Sequence, residues 1–100
     1  MKVSILIPVY NQEELVLTAI ESVPKKDNIE IIVINDGSTD KTLESIYSSY
    51  CIGETDRKLK IISYKENKGV SYALNRGLAE ASGEGAVKET ILRAFIEWRS

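Results

Sequence analysis

A continuous apolar run that ends in a polar turn, residues 31–40, most constrains the fold of this chain. β-Branched residues fill nearly every position of the run, which is typical of a strand buried on both faces of a parallel sheet. Gly37 supplies the backbone freedom of a tight turn, and residues 38–40 are helix N-cap types. The stretch therefore predicts strand, turn and helix. Asp36 falls at the carboxyl end of the strand, where ligands bind in open α/β sheets.

The same succession of a strand and a helix occurs three times along the chain. The strands are predicted at residues 3–9, 29–35 and 59–64, and the helices at residues 13–23, 41–50 and 70–81. Such alternation implies a parallel sheet with right-handed crossovers. The predicted fold is α/β, a three-stranded parallel sheet of β-α units of the Rossmann-like kind. One domain is expected at residues 1–84.

Residues 85–100 are predicted to add a C-terminal amphipathic helix, with Val87, Ile91, Phe95 and Trp98 at helical spacing. Packing against the domain or against a second copy is the favoured role of this stripe. A sheet that ends at the first strand would expose an edge, which favours pairing with another chain. The predicted helix would either cover that edge or join a partner, so a homo-oligomer is one expectation.

The composition excludes several classes of function. A net charge of −2 gives no strong attraction to nucleic acid or to an anionic membrane surface. The chain has no histidine, so Ser-His-Asp and Cys-His catalysis and histidine metal sites are excluded. Cys51 is the one cysteine, which rules out an internal disulfide and fits the cytoplasm. The apolar run broken by Pro8 is too short for a signal peptide or a membrane span, so an intracellular protein is expected.

Three loops, at residues 8–12, 36–40 and 66–69, are predicted to meet at the carboxyl edge of the sheet. They could bind a nucleoside, with Tyr10 stacking on a base, Asp36 accepting a base N–H or a ribose hydroxyl, and Lys68 near phosphate. Neither a dinucleotide-binding fingerprint nor a P-loop is present. Each residue also has a structural alternative: Tyr10 as a packing residue, Asp36 as a helix cap, and Lys68 as a solvated turn residue. Capping is the favoured role for Asn11 and Glu13.

Several motifs in order and spacing resemble the opening of family 2 glycosyltransferases of the GT-A fold. They are VSILIPVYN at residues 3–11 with Glu13 beyond it, IEIIVINDGSTD at 29–40, NKGVS at 67–71, ALNRGL at 73–78 and ASGE at 81–84. The resemblance covers about residues 2–84. It implies binding of a nucleotide-sugar such as a UDP-sugar, and a hexosyltransferase-like activity for the family. The nucleotide-binding residues that it implies are Pro8, Val9, Tyr10, Glu13, Asp36, Gly37, Lys68 and Gly69.

The chain departs from this family in ways that bear on catalysis. Leu74 stands where many members carry arginine, and no aspartate follows Asp56. The Asp-x-Asp motif that would hold Mg²⁺ or Mn²⁺ is therefore absent, as is the acceptor half with its catalytic base. We expect no metal cofactor and no catalytic residue in this chain, which by itself should not transfer sugar. The alternatives are a nucleotide-binding module without chemistry and a self-associating structural domain.

Overall fold

In the described part of the chain the sheet has four strands, and each pair of neighbours is parallel. The computed structural model describes residues 3–50 and 58–81 and the backbone of residues 90–91. The elements in chain order are β1 (Val3–Val9), α1 (Val16–Glu21), β2 (Ile29–Asp36), α2 (Thr42–Ser49), β3 (Lys58–Tyr64), α3 (Val70–Glu80) and β4 (Thr90–Ile91). The strand order is β3-β2-β1-β4. The predicted α/β fold with three parallel β-α units is confirmed.

Two apolar layers cover the two faces of the sheet. On one face α1 and α2 pack against alternate residues of the strands, and on the other face α3 packs against the residues between them. β2 lies between β1 and β3, and seven of its eight residues are buried. This double burial explains its continuous apolar sequence. The polar residues Asn35 and Asp36 end the strand and are also buried.

Gly77 lies at a close contact between α3 and the sheet. A β-carbon at this position would lie 2.8 Å from Cδ1 of Ile34 and 3.2 Å from Cδ2 of Leu6. This close contact explains why a glycine stands inside a helix, where it lowers helix propensity. None of the helices in the described part of the chain has the length and apolar character needed to cross a bilayer.

α1 is shorter than predicted. The helix expected at residues 13–23 begins only at Val16, and the side chain of Leu15 is 50% exposed instead of facing the core. The cause lies in the preceding residues, because the backbone N–H groups of Gln12 and Glu13 bond to side chains of the next β-α unit. These contacts hold residues 12–13 outside the helix. Residues 13–15 form a turn before the helix, which is closed by a hydrogen bond from the N–H of Val16 to the carbonyl of Gln12.

β4 corrects the prediction for the end of the chain. Thr90 and Ile91 do not belong to a helix, but form a short strand parallel to β1, opposite Ile5 and Leu6. The sheet thus has four strands instead of three, and the outer edge of β1 is paired at these two positions. Residues 82–89 and 92–100 lie outside the described residues, and with them the rest of the predicted helix.

Candidate functional site

The loops after β1 and β2 are joined through Asn11. This residue has a φ of 52°, a left-handed conformation that asparagine tolerates better than most residues. Its side-chain oxygen accepts hydrogen bonds from the backbone N–H groups of Thr39 (2.8 Å) and Asp40 (3.3 Å). Its own N–H donates to Oγ of Ser38 (3.0 Å). Asn11 therefore holds the loop after β2 against the end of β1.

Glu13 and Asp40 cap the start of α2. Oε1 of Glu13 accepts the backbone N–H of Lys41 at 2.9 Å, and Oδ1 of Asp40 accepts that of Thr42 at 2.9 Å. Oδ2 of Asp40 also accepts the N–H of Glu13 at 3.3 Å. Carboxylates at a helix N-terminus satisfy its unpaired N–H groups and the helix dipole. Glu13 thus has the capping role that the sequence favoured, at α2 and not in its own helix.

Asp36 joins the end of β2 to the loop before α3. Its side chain is entirely buried, and its carboxylate accepts three hydrogen bonds. The backbone N–H of Lys68 donates to Oδ1 (2.9 Å), while the N–H of Gly69 (2.9 Å) and Nδ2 of Asn67 (2.8 Å) donate to Oδ2. Gly69 is the N-cap of α3, so the carboxylate lies at the positive end of that helix. This arrangement compensates for the burial of a carboxylate.

Gly37 allows the loop to approach the end of β2. It has a φ of 71°, and a β-carbon built on it would lie 2.4 Å from the backbone nitrogen of Asn67. No real β-carbon makes such a contact. A glycine at this position is therefore needed both for the backbone conformation and for the contact with the peptide between Glu66 and Asn67.

A group of aromatic and cationic side chains flanks Asp36 on the α3 face. Tyr64 pairs with Asp36 across β2 and β3 in the sheet register. The rings of Tyr64 and Tyr72 meet edge to face at 5.3 Å, with Arg76 5.7 Å from the ring of Tyr64 and Lys68 5.5 Å from that of Tyr72. Burial, and then the neighbouring Asp36 carboxylate, raise the pKa of the Tyr64 hydroxyl, while Arg76 acts in the opposite direction.

The remaining predicted site residues lie along the same edge of the sheet. Pro8 and Val9 are the last two residues of β1 and are buried, and Tyr10, which follows them, is half-buried. The side chain of Lys68 is 42% exposed, and its Nζ lies 3.4 Å from a carboxylate oxygen of Glu66. The structure therefore brings together the three predicted loops. It gives Lys68 the position of a solvated turn residue, with its backbone N–H turned toward Asp36.

The described residues do not fit a divalent metal ion. No group of three or more His, Cys, Asp or Glu side chains within them is arranged to hold one. The carboxylate oxygens of Asp36 already accept backbone and amide donors, and those of Asp40 bond to Glu13 and Thr42.

A model of glycosyl transferase family 2 matches residues 4–92. The chain belongs to glycosyl transferase family 2. An uncharacterized glycosyltransferase of Haemophilus influenzae is 43% identical over 84 residues, which are 82% of this chain and 25% of that protein. The family match extends eight residues beyond the boundary predicted at residue 84 and includes β4.

Two solved structures share the fold of this chain. The mannosyltransferase PcManGT from Pyrobaculum calidifontis, in complex with GDP-Man and Mn²⁺, superposes with a TM-score of 0.69 and 25% identity over 80% of this chain and 24% of that one. S. aureus TarS 1–349 in complex with UDP gives a TM-score of 0.62 and 32% identity over 84% and 25%. The chain thus spans about a quarter of the length of each of these three proteins.

Three residues central to the site were not among the predicted ones. Asn67 holds Asp36 through its side chain, Asp40 caps α2, and Tyr64 lies beside Asp36. No local pattern pointed to Tyr64, because the second strand was predicted to end at residue 35 and the pairing of Tyr64 with Asp36 depends on strand register. Asp40 stands in the run of N-cap types, and Asn67 lies in a polar turn after a strand. Local sequence patterns do not show which side chains of two distant loops will be in contact.

Proposed function

We propose that this chain binds the nucleotide part of a nucleotide-sugar donor at the edge formed by the ends of β1 and β2 and loop 66–69. The observation that carries this proposal is the joining of the three loops at one edge of the sheet: loop 36–40 is bonded to loop 66–69 through the buried carboxylate of Asp36 and to loop 8–12 through Asn11. The binding of UDP by TarS and of GDP-Man by PcManGT supports it, since both share this fold. The proposed contact residues are Pro8, Val9, Tyr10, Glu13, Asp36, Gly37, Lys68 and Gly69.

The chemistry of each of these residues suits a different part of the nucleotide. Tyr10, half-buried beside Pro8, offers an aromatic face against which a base can pack. Asp36 would accept a base N–H or a ribose hydroxyl in place of one of the three donors of residues 67–69 that now bond to its carboxylate. Lys68 has a partly exposed ammonium that suits a phosphate. Glu13 and Gly37 contribute through position, since one caps α2 and the other admits loop 66–69.

We propose that this chain alone does not transfer sugar. No aspartate follows Asp56 in the sequence, so the Asp-x-Asp pair implied by the family is missing. A divalent cation bound by such a pair would stabilise the leaving diphosphate. Binding without turnover is thus the function proposed for the chain as it stands, and the sugar-transfer activity of the family is not assigned to it.

Calorimetric titration of the purified chain with UDP and with GDP, each with and without Mn²⁺, tests the proposal. We expect binding of at least one of the two that Mn²⁺ does not strengthen and that Asp36→Ala abolishes. Absence of binding at millimolar concentrations of both nucleotides would refute the nucleotide-binding function. Turnover of a UDP-sugar or of GDP-mannose by the chain alone would refute the claim that it is not catalytic.

Self-association remains a second proposal, which rests on the edge of β3. With β4 paired to β1, β3 is the terminal strand on the other side of the four-stranded sheet in the described chain. An open strand edge favours pairing, although Lys58 and Lys60 on this strand oppose it. Sedimentation of a single monomeric species at high concentration would refute this proposal. The cytoplasmic location stays a prediction from the single cysteine.

A further inference from the structure

A cavity of about 200 Å³ lies at the amino edge of the sheet, at the opposite end of the strands from the proposed nucleotide site. It opens between residues 24–27, which connect α1 to β2, and the first residues of β2 and β3. An engineered cavity of about 150 Å³ holds benzene, so this one has room for a body of that size. The described residues that line it are Pro24, Lys25, Lys26, Asp27, Ile29, Ile31 and Lys58. None of them belongs to the proposed nucleotide site.

Three exposed lysines belong to this lining, and among its described residues the carboxylate of Asp27 is the single negative charge. Nζ of Lys58 donates to the backbone carbonyl of Asp27 at 2.8 Å, which holds this ammonium at the cavity. Within residues 3–50 and 58–81, the ammonium groups of Lys25 and Lys26 make no ion pair. The lining thus carries an excess of positive charge, and an anion in the cavity would be attracted by all three lysines.

Apolar side chains form the floor of the cavity. Ile31 is 1% exposed and belongs to the core cluster under α1 and α2, and the half-buried Ile29 packs against that cluster. The ring of Pro24 adds a third apolar surface. An inorganic ion gains little from such surfaces, because it stays hydrated, whereas an organic body removes its own apolar surface from water there. The lining therefore suits a ligand with a charged end and an apolar end.

The connection between α1 and β2 is held to all three of the first strands. The N–H of Ile29 in β2 donates to the carbonyl of Lys26 at 3.1 Å, and the N–H of Val3 in β1 donates to the carbonyl of Asn28 at 2.8 Å. The ammonium of Lys58 in β3 supplies the third bond. Lysines on a backbone that is already fixed lose less conformational freedom on binding than lysines on a mobile loop.

We propose that this cavity binds a small organic anion, a phosphate or carboxylate group on an apolar body about the size of a benzene ring. The ammonium groups of Lys25, Lys26 and Lys58 bind the anionic oxygens, and the floor at Ile29 and Ile31 accepts the apolar body. The acyl chain of a membrane lipid exceeds the volume of the cavity, so the ligand is a small free molecule. The site does not depend on the proposed nucleotide-binding function, since the eight residues of β2 separate the two edges of the sheet.

Amide NMR spectra of the full chain during titration with phenyl phosphate test the inference. We expect resonance shifts at the amides of Ile29, Ile31 and Lys58, and binding at least about tenfold tighter than that of inorganic phosphate. Benzylammonium, which has the same ring and the opposite charge, should not bind. Shifts confined to Asp36 and Gly69, equal binding of inorganic phosphate, or binding of benzylammonium at the cavity would each overturn the inference.

A pair of double variants tests the role of the lysines. Lys25→Gln/Lys26→Gln removes two ammonium groups that make no ion pair within the described residues, and we expect it to bind phenyl phosphate at least about tenfold more weakly. Lys41→Gln/Lys65→Gln, at two exposed lysines outside the cavity, removes the same charge and should bind like the unmodified chain. Full affinity of the first double variant, or an equal loss in the second, would contradict a site built on these lysines.

Cosedimentation with vesicles of equal parts phosphatidylserine and phosphatidylcholine separates a small anion from a membrane surface as the occupant. We expect the chain to stay in the supernatant, because its net charge is −2 and the cavity does not admit an acyl chain. Binding to these vesicles that phenyl phosphate does not displace would overturn the assignment of the cavity to a small free anion.

Discussion

The carboxylate of Asp36 accepts the backbone N–H of Gly69 at 2.9 Å, so the last residue of β2 caps the first turn of α3. The cap is supplied from a different β-α unit, 33 residues away in sequence. The neighbouring N–H of Lys68 joins the same carboxylate. This contact couples the end of the central strand to the start of a helix, and it gives a buried charge a structural role that is independent of any ligand.

Asp36→Ala should destabilise the fold through the loss of this cap. The variant leaves the N–H groups of Lys68 and Gly69 without their acceptor, at a cost of about 2 kcal/mol. Urea unfolding measures the change in stability, and hydrogen exchange should show faster exchange at these two amides. Asp27→Ala, at an exposed residue before β2, is the control and should leave both unchanged. Unaltered exchange at Lys68 and Gly69 would contradict the capping role.

Gly37→Ala and Gly69→Ala form a matched pair. Both glycines have positive φ, 71° and 97°. Alanine costs about 1 kcal/mol of backbone energy at Gly37 and about 2 kcal/mol at Gly69, whose ψ of 163° lies in a region that is nearly restricted to glycine. At Gly37 the new β-carbon also collides with the backbone of Asn67, whereas at Gly69 nothing lies within 4 Å. We expect Gly37→Ala to lose about 3 kcal/mol in urea unfolding, the sum of backbone strain and overpacking. A loss of only about 1 kcal/mol, the backbone strain alone, would show that loop 66–69 does not lie against Gly37 in solution.

Gly77→Ala should destabilise the protein despite improving helix propensity. Propensity alone predicts a gain of about 1 kcal/mol. The added β-carbon would lie 2.8 Å from Ile34 in a fully buried core, and overpacking of this kind costs about 2 kcal/mol. Asn75→Ala, at an exposed position of α3, is the control and should gain stability from helix propensity. A rise in the free energy of unfolding for Gly77→Ala would contradict the close packing of α3 on Leu6 and Ile34.

Alkaline pH should destabilise the fold through Tyr64. Its pKa in the folded chain is raised from the usual value of 10.0, mainly by burial. Below that pH the hydroxyl is protonated in both states and has no effect on stability. As the pH rises above it, the unfolded chain loses the proton and the folded chain keeps it, so the free energy of unfolding falls. Between about pH 9 and 11, the free energy of unfolding should fall less steeply for Tyr64→Phe than for Tyr47→Phe, which changes an exposed tyrosine of α2. Parallel curves of unfolding free energy against pH for the two variants would contradict this expectation.

The β-α order and the edge that carries the site could be predicted from the sequence, because both depend on local patterns. The apolar run before Asp36 indicated a strand buried on both faces, and β2 has that burial. The turn residues after each strand then indicated the three loops that lie together at the carboxyl edge of the sheet. Residues 8–12, 36–40 and 66–69 do meet there.

Contacts between units could not be predicted in the same way. The sequence predicts Glu13 in the first turn of the first helix, but its carboxylate caps α2. Glu13 is held at the start of α2, and α1 begins only at Val16. The amphipathic pattern of residues 85–100 indicated a helix, yet Thr90 and Ile91 pair with β1 because an open strand edge offers hydrogen bonds that periodicity does not register. The pairing of Tyr64 with Asp36 likewise depends on strand register.

The pairing of β4 with β1 has a consequence for the order of folding. Ile5 and Thr90 are separated by most of the chain, while β1, β2 and β3 are joined by short crossovers to their sequence neighbours. Contacts between distant residues bear the largest loop-closure entropy and form late. The three-strand core with its loops can thus assemble before the fourth strand docks. The Asp36 contacts belong to the earlier step and form while one side of β1 is still unpaired.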